Sequence, residues 1–183
     1  SAFLRRPLIV GAVAPSSTGL ARAMIPPVDL VSARVVVELG AGTGAITRLI
    51  RRRIGPRTVL LAMEVRADAT ARLRRRFPDL EIVHDGAEAL REHLDRLGHH
   101  QADCIICGLP FGNMSDQQQN RIFEAVLASL RPGGTFSAMA YLHAAWYPSS
   151  RHFKQKLARS FQHIESSPVV WANLPPSFAY YCR

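Results

Sequence analysis

From Arg34 onward, short apolar runs rich in valine, isoleucine and leucine alternate with stretches in which apolar residues recur at helical spacing. The runs predict strands at Arg34 to Leu39, Thr58 to Glu64, Leu80 to His84, Ala102 to Cys107 and Gly134 to Tyr141. Between them the spacing predicts helices over 44–53, 66–77, 86–97 and 116–130, the last closed by the "RPGG" of Arg131 to Gly134. Strands that are apolar on both faces and separated by helices imply βαβ units, hence a parallel sheet covered on each side. After Tyr141 the order changes. A loop and a helix from Arg151 to Ser160 are followed by strand-like runs at Phe161 to Val170 and Phe178 to Arg183, flanking "WANLPPS". That connection is too short for a crossover helix, so the last two strands form an antiparallel hairpin. The expected fold is α/β: a seven-stranded, mostly parallel sheet with helices on both faces and a C-terminal antiparallel β-hairpin.

A chain of 183 residues with 48% apolar content suits one domain over 1–183, with 34–183 as its core and 1–33 as a helical N-terminal segment. No apolar run is long enough to span a bilayer, and no secretory signal opens the chain. Cys 3 in the composition is no disulfide framework, which points to a reducing cytoplasm. The net charge of +9 and pI near 10.5 add a preference for phosphate, in nucleic acid or in anionic lipid headgroups, without choosing between them. Much of that charge lies in Arg51 to Arg53 and Arg72 to Arg76, at predicted helix ends, where cations also complement the helix dipole.

The sharpest local signal is "VVVELGAGTGAITRLI". Gly40, Gly42 and Gly44 let the backbone turn tightly and approach a ligand, and the helix that follows presents unpaired N–H groups to it. A nucleotide or nucleoside cofactor belongs there, in a Rossmann-like arrangement. Gly40, Gly42 and Ala45 also satisfy the dinucleotide pattern, but Glu38 would repel a pyrophosphate, whereas it could accept hydrogen bonds from an amine-bearing or cationic ligand. Glu64 ends the next strand, where a carboxylate can take both ribose hydroxyls or can act as an N-terminal helix acid. Asp85, in "HDGAEAL", can accept from an adenine amino group or cap the helix that follows.

Together these residues resemble the class I S-adenosylmethionine-dependent methyltransferases: the E-x-G-x-G-x-G of Glu38 to Gly44, the acid at Glu64, the acidic turn at Asp85 and the closing hairpin. The resemblance implies S-adenosylmethionine as cofactor, its methionine part on the glycine loop, its ribose on Glu64 and its adenine beside Asp85, Gly86 and Ala87. In this sequence the turn reads Asp-Gly-Ala where such enzymes more often have Gly-Asp-Ala. Ser16 and Ser17 could hydrogen-bond the cofactor's carboxylate or cap a helix beginning near Thr18.

The acceptor belongs at the end of the fourth strand, in "CGLPFGN". Amino-directed members of the superfamily carry an acidic or amide residue, two further residues and an aromatic there. The matching positions here are Gly108, Leu109, Pro110 and Phe111, with Gly108 also beside the cofactor. Without the amide, a backbone carbonyl at Gly108 or Leu109 and the face of Phe111 are expected to hold an ammonium-like group. Tyr141, after the fifth strand, is expected to line the same site. The chain resembles the soluble bacterial phospholipid N-methyltransferases in "VGAVAPSS", "VVELGAGTGAIT", "CGLPFGN", "RPGGTFSAMAY" and "WANLPPSFAYY". That resemblance implies methylation of phosphatidylethanolamine by a cytoplasmic enzyme peripheral to the inner membrane face. An rRNA adenine N6-methyltransferase and a small-molecule amine methyltransferase are the competing readings.

Phe3, Leu4, Leu8, Ile9 and Val10 around Arg5 and Arg6 read equally as an interfacial segment or as a lid over the crevice. No metal site is expected: Cys104 and Cys107, three apart on a strand, point to opposite faces. Trp171 could anchor at an interface or fill the hairpin's packing, and packing is the expectation.

Overall fold

The computed structural model describes residues 17–183; Ser16 and the apolar and basic positions ahead of it lie outside them. One sheet organises the chain, in the order β3-β2-β1-β4-β5-β7-β6. The strands are β1 (Val35–Leu39), β2 (Val59–Glu64), β3 (Glu81–His84), β4 (Ala102–Cys107), β5 (Leu130–Tyr141), β6 (Ile164–Ser166) and β7 (Ser177–Cys182). β1 to β5 pair in parallel, while β7 inserts antiparallel between β5 and β6, making the expected hairpin.

The helices are α1 (Thr18–Met24), α2 (Ala45–Arg51), α3 (Ala67–Arg76), α4 (Leu90–Arg96), α5 (Asp116–Ser129) and α6 (Pro148–Ser160). Their starts follow local chemistry. Ser115 and Gln118 form a reciprocal capping box at α5. Pro148 opens α6 before the expected Arg151, because a proline's fixed φ suits the first helical turn and its missing N–H costs nothing there.

Each sheet face buries its own core. Val35, Val37, Leu39, Ile105, Cys107 and Phe136 lie beneath α4, α5 and α6. Val36, Cys104, Ile106 and Met139 meet Leu20 and Met24 of α1 and Ile46 and Ile50 of α2 on the other side. Cys104 and Cys107 therefore diverge, as strand alternation requires. Burial pushes both thiols up to about 12, so they behave as small apolar residues.

Several boundaries differ from the sequence reading. α5 stops at Ser129, and "RPGG" lies inside β5 as an irregularity, since Leu130 pairs with Ala102 and the ladder resumes only at Thr135 with Cys104. Gly133 (φ 71) supplies the left-handed residue this excursion needs. β6 is shorter than Phe161 to Val170 because Pro168 has no N–H for the ladder. Trp171 does not fill the hairpin; it stands 70% exposed.

The decisive feature is the reversal of strand order between β1 and β4. In open α/β sheets a crevice forms where neighbouring connections leave in opposite directions, beyond the carboxyl ends of the strands. The glycine loop follows β1 and "CGLPFGN" follows β4, so both singled-out motifs face one crevice. Leu39 pairs with Cys107, and the Gly108 N–H donates to the Leu39 carbonyl at 2.8 Å, fastening the two loops together.

Candidate active site

The glycine loop is held by the next strand. The Gly40 and Ala41 N–H groups both donate to the Met63 carbonyl, at 2.9 and 3.2 Å. Gly40, Gly42 and Gly44 all have positive φ (78°, 52° and 77°), where a Cβ is strained. At Gly40 an added Cβ would also meet Leu109 Cδ2 at 2.7 Å, whereas at Gly42 it would meet only the Gly40 carbonyl oxygen, at 3.9 Å. Gly40 thus lets the two loops pack, and Gly42 leaves room above the backbone.

Glu38 lies wholly buried beneath this loop, on the face it shares with Val36. Neither of its carboxylate oxygens has a hydrogen-bond partner among the described residues, and the buried Thr47 hydroxyl has none either. Removal from water raises its pKa to about 8; nearby Thr47 side-chain and backbone groups oppose that rise without reaching full hydrogen-bond geometry. A buried acceptor without a partner is costly, so its presence beside a glycine cradle marks a place for a donor from beyond the described residues.

Glu64, 6% exposed, is fully engaged instead. Its Oε2 accepts from the Gly42 N–H at 2.8 Å and its Oε1 from the Arg66 N–H at 2.9 Å. The carboxylate thereby spans the crevice floor between the glycine loop and the start of α3, and each oxygen keeps a further lone pair for a hydroxyl donor. Asp85, at the end of β3, accepts from the Gly86 N–H at 2.8 Å and pairs with His93 Nε2 at 2.9 Å. The His93 contact is the main cause of its lowered pKa, followed by the Gly86 N–H. It does not cap the following turn, whose N-cap is Gly86, itself in an extended conformation any residue could adopt. Ala87 is buried beneath that turn. Ser17 does cap α1, its hydroxyl accepting from the Leu20 N–H at 3.1 Å.

Across the crevice, an added Cβ at Gly108 would approach the Gly40 carbonyl oxygen at 3.2 Å, closer than most side chains tolerate. The Leu109 carbonyl accepts from the Phe111 N–H, the Pro110 carbonyl from Asn113, the Phe111 carbonyl from Met114 and the Gly112 carbonyl from the Ser149 hydroxyl. No such contact reaches the Gly108 carbonyl among the described residues.

The expectation for Phe111 is corrected. Its ring does not face the crevice: it is 0% exposed and stacks on Phe153 of α6, centroids 4.0 Å apart and planes 6° from parallel. The short helical turn over Phe111–Asn113 rotates the ring inward, where a large apolar group stabilises the fold more than it would at a wet rim. Tyr141 is half-buried at the end of β5 with its ring 5.5 Å from His143, and burial raises its pKa.

Residues that sequence reasoning passed over hold this loop. Buried Gln119 on α5 donates to the Phe111 carbonyl at 2.7 Å and the Ser149 carbonyl at 3.1 Å, and accepts from Lys156 Nζ at 3.0 Å. Nothing in "DQQQN" separates Gln119 from its neighbours. Phe153 and Leu157, four apart on one helix face, did carry an apolar signal. Asn173, within the late "WANLPPS", is a buried hub: it accepts from the Ser17 N–H at 3.0 Å and donates to the Pro175 carbonyl at 2.8 Å and the Ser177 hydroxyl at 3.0 Å. No cluster suited to a metal ion occurs among the described residues.

Fold and loop geometry together define a Rossmann-like α/β architecture with an acid-lined glycine loop and a second loop meeting at its switch point. Residues 36–134 match the family described as "Methyltransferase domain". Over 184 aligned residues the chain is 32% identical to an ornithine lipid N-methyltransferase of Singulisphaera acidiphila, covering 99% of this chain and 92% of that one. A ribosomal RNA small subunit methyltransferase A of Laribacter hongkongensis is 33% identical over 88 residues, 48% of this chain and 32% of its own. In fold the chain resembles the O-methyltransferase of Bacillus cereus solved with S-adenosylhomocysteine (TM-score 0.68, 15% identity, 96% of this chain and 84% of that one). The chain belongs to the methyltransferase-domain family and is a class I S-adenosylmethionine-dependent methyltransferase.

Proposed function

We propose that this enzyme methylates the amine of a lipid headgroup, phosphatidylethanolamine or an ornithine lipid, at the cytoplasmic face of the membrane. The observation that carries this reading is the likeness along almost the full chain to an ornithine lipid N-methyltransferase, where the ribosomal RNA enzyme matches only about half. The acceptor loop supports it. A planar nucleobase amine is best held by a side-chain amide and a carbonyl together, and Gly108 has no side chain to offer.

The Glu38 carboxylate, without a partner among the described residues, the left-handed glycines and the loose surroundings of Gly42 suit S-adenosylmethionine. Glu38 accepts from the cofactor's amino group, and Gly40, Gly42 and Gly44 let its amino-acid portion lie against the backbone. Glu64, already fixed by two N–H groups, takes the ribose hydroxyls. Asp85, held by His93, and the Gly86–Ala87 backbone border the adenine. Ser17 and Ser16 stand for the carboxylate end. Bound there, the cofactor supplies a methyl group activated by its sulfonium charge. The protein then has to align a neutral amine and exclude alternatives, not perform heavy acid-base work. The Gly108 carbonyl, with no partner among the described residues, accepts one amine hydrogen and aims the nitrogen lone pair along the crevice. Tyr141 walls the site as a neutral phenol.

The test offers labelled S-adenosylmethionine with vesicles containing phosphatidylethanolamine, vesicles containing ornithine lipid, and ribosomal RNA. Label in a lipid extract is expected. Label in RNA, or in neither while S-adenosylhomocysteine binds by calorimetry, overturns the acceptor assignment.

A further inference from the structure

Large apolar side chains on a protein surface are informative when they cluster beside a site. Trp146 is 84% exposed, Trp171 70%, Leu174 79% and Tyr147 46%. They occupy just two segments: the turn after β5 and the loop before β7. Those segments are neighbours, because Tyr141 pairs with Ser177 and the Leu142 N–H donates to the Pro176 carbonyl at 2.9 Å. Both lie at the carboxyl end of β5, the edge of the sheet on which the acceptor loop opens. The loop is also braced: Asn173 bonds Pro175, Ser177 and Ser17, so Trp171 and Leu174 project from a fixed frame.

Charge accompanies the patch. α6 starts directly after Tyr147 and carries Arg151, Lys154, Lys156 and Arg159 without one acidic residue. Arg151 and Lys154, in its opening turns, are exposed. Tryptophan and tyrosine favour the headgroup level of a bilayer, where the ring is part apolar and part polar, and cations beside them gain from anionic lipid.

Resting on the lipid reading for its choice of partner, we infer that Trp146, Tyr147, Trp171 and Leu174 form a docking surface for an anionic bilayer. The aromatic and leucine side chains enter the headgroup layer, Arg151 and Lys154 pair with lipid phosphate, and the crevice mouth faces the membrane. A headgroup then reaches Gly108 without leaving the bilayer.

The chain has Trp 2 in its composition, and both are in this patch, so tryptophan fluorescence, excited selectively over tyrosine, reads this surface alone. Vesicles of phosphatidylglycerol with phosphatidylethanolamine should shift the emission to the blue, and brominated acyl chains should quench it; pure phosphatidylcholine vesicles should do neither. In flotation assays, W171A/L174A and R151E/K154E should each lower vesicle affinity by roughly tenfold or more. Their turnover of a short-chain, monomeric phosphatidylethanolamine should stay unchanged. The proposal is overturned if emission is indifferent to anionic vesicles, if the variants float like the parent, or if ribosomal RNA produces the shift instead. Failure of the lipid reading looks different: the protein would bind vesicles normally and methylate neither dispersed nor vesicular lipid.

Discussion

The two loops that meet at the switch point are built by opposite means. On the side proposed for the cofactor, charge and backbone conformation do the work: a buried carboxylate without a partner among the described residues, a second one tied to two N–H groups, and glycines at positive φ. On the side proposed for the acceptor, the contacts that fix the loop among the described residues are of another kind. The loop is positioned by an aromatic stack, Phe111 on Phe153, and by the neutral Gln119 bridge. The contrast matches the ligands. A cofactor with fixed charges can be met by fixed complementary groups, whereas an amine that must be neutral to attack is better met by a carbonyl whose position is set from behind.

The comparison can be broken at its strongest point first. Phe111→Ala, removing a fully buried ring, should cost about 3–5 kcal/mol by thermal or urea unfolding. Phe111→Leu should recover much of that stability and most of the turnover. If Phe111→Leu is as stable as the parent but inactive, the ring has a direct role in the acceptor site and the division between the halves fails. Next in size, Glu64→Ala removes two charge-assisted hydrogen bonds and frees the glycine loop. A loss of about 1.5–3 kcal/mol in cofactor affinity is expected, read as S-adenosylhomocysteine dissociation by calorimetry. Unchanged affinity would mean that the loop holds its shape without the carboxylate.

On the proposed acceptor side, Gln119→Leu removes one donor from the Phe111 and Ser149 carbonyls and the amide oxygen that the Lys156 ammonium donates to, leaving the Phe111 carbonyl its Met114 bond and Lys156 the more distant Asp116. Its cost of about 1–3 kcal/mol should fall on stability and on the KM for the acceptor, with cofactor affinity little changed. A loss confined to cofactor affinity would erase the distinction between the regions. The smallest and most specific effect concerns the Glu38 proton. Its carboxyl holds a proton up to about pH 8 in the folded protein and releases it near 4.5 when unfolded. Between those limits the folded state binds the extra proton, so the contribution of Glu38 to the stability of the cofactor-free protein falls as pH rises, and Glu38→Gln should flatten that slope. Binding of a cationic amino group favours the carboxylate, so at pH 7 cofactor binding should release a proton from the parent but not from Glu38→Gln. Calorimetry in buffers of different ionisation enthalpy checks this; equal release from both would place the proton elsewhere.

The cofactor side was largely legible because its requirements are local. Left-handed backbone demands glycine, a strand end exposes a carboxylate, and both leave a trace within a few consecutive residues. The side proposed for the acceptor was less legible. "CGLPFGN" was read as the acceptor loop, with Phe111 turned the wrong way, because the direction of a ring in a short turn depends on what waits behind it. Here that is Phe153, more than forty positions along the chain. Gln119 left no trace at all, since a buried amide and a solvated one look alike until the backbone groups that satisfy it are in place.

The sequence by itself determined the alternation of strands and helices, the closing hairpin, the glycine loop and its acids, because each depends on periodicity or on a steric demand of a single residue. Only the tertiary structure decided which carbonyl of the "CGLPFGN" loop lacks a partner among the described residues, which aromatic is core, and which tryptophans stand at the surface. Burial and hydrogen-bond satisfaction are properties of groups brought together from distant parts of the chain, and no short stretch of sequence contains both members of such a pair.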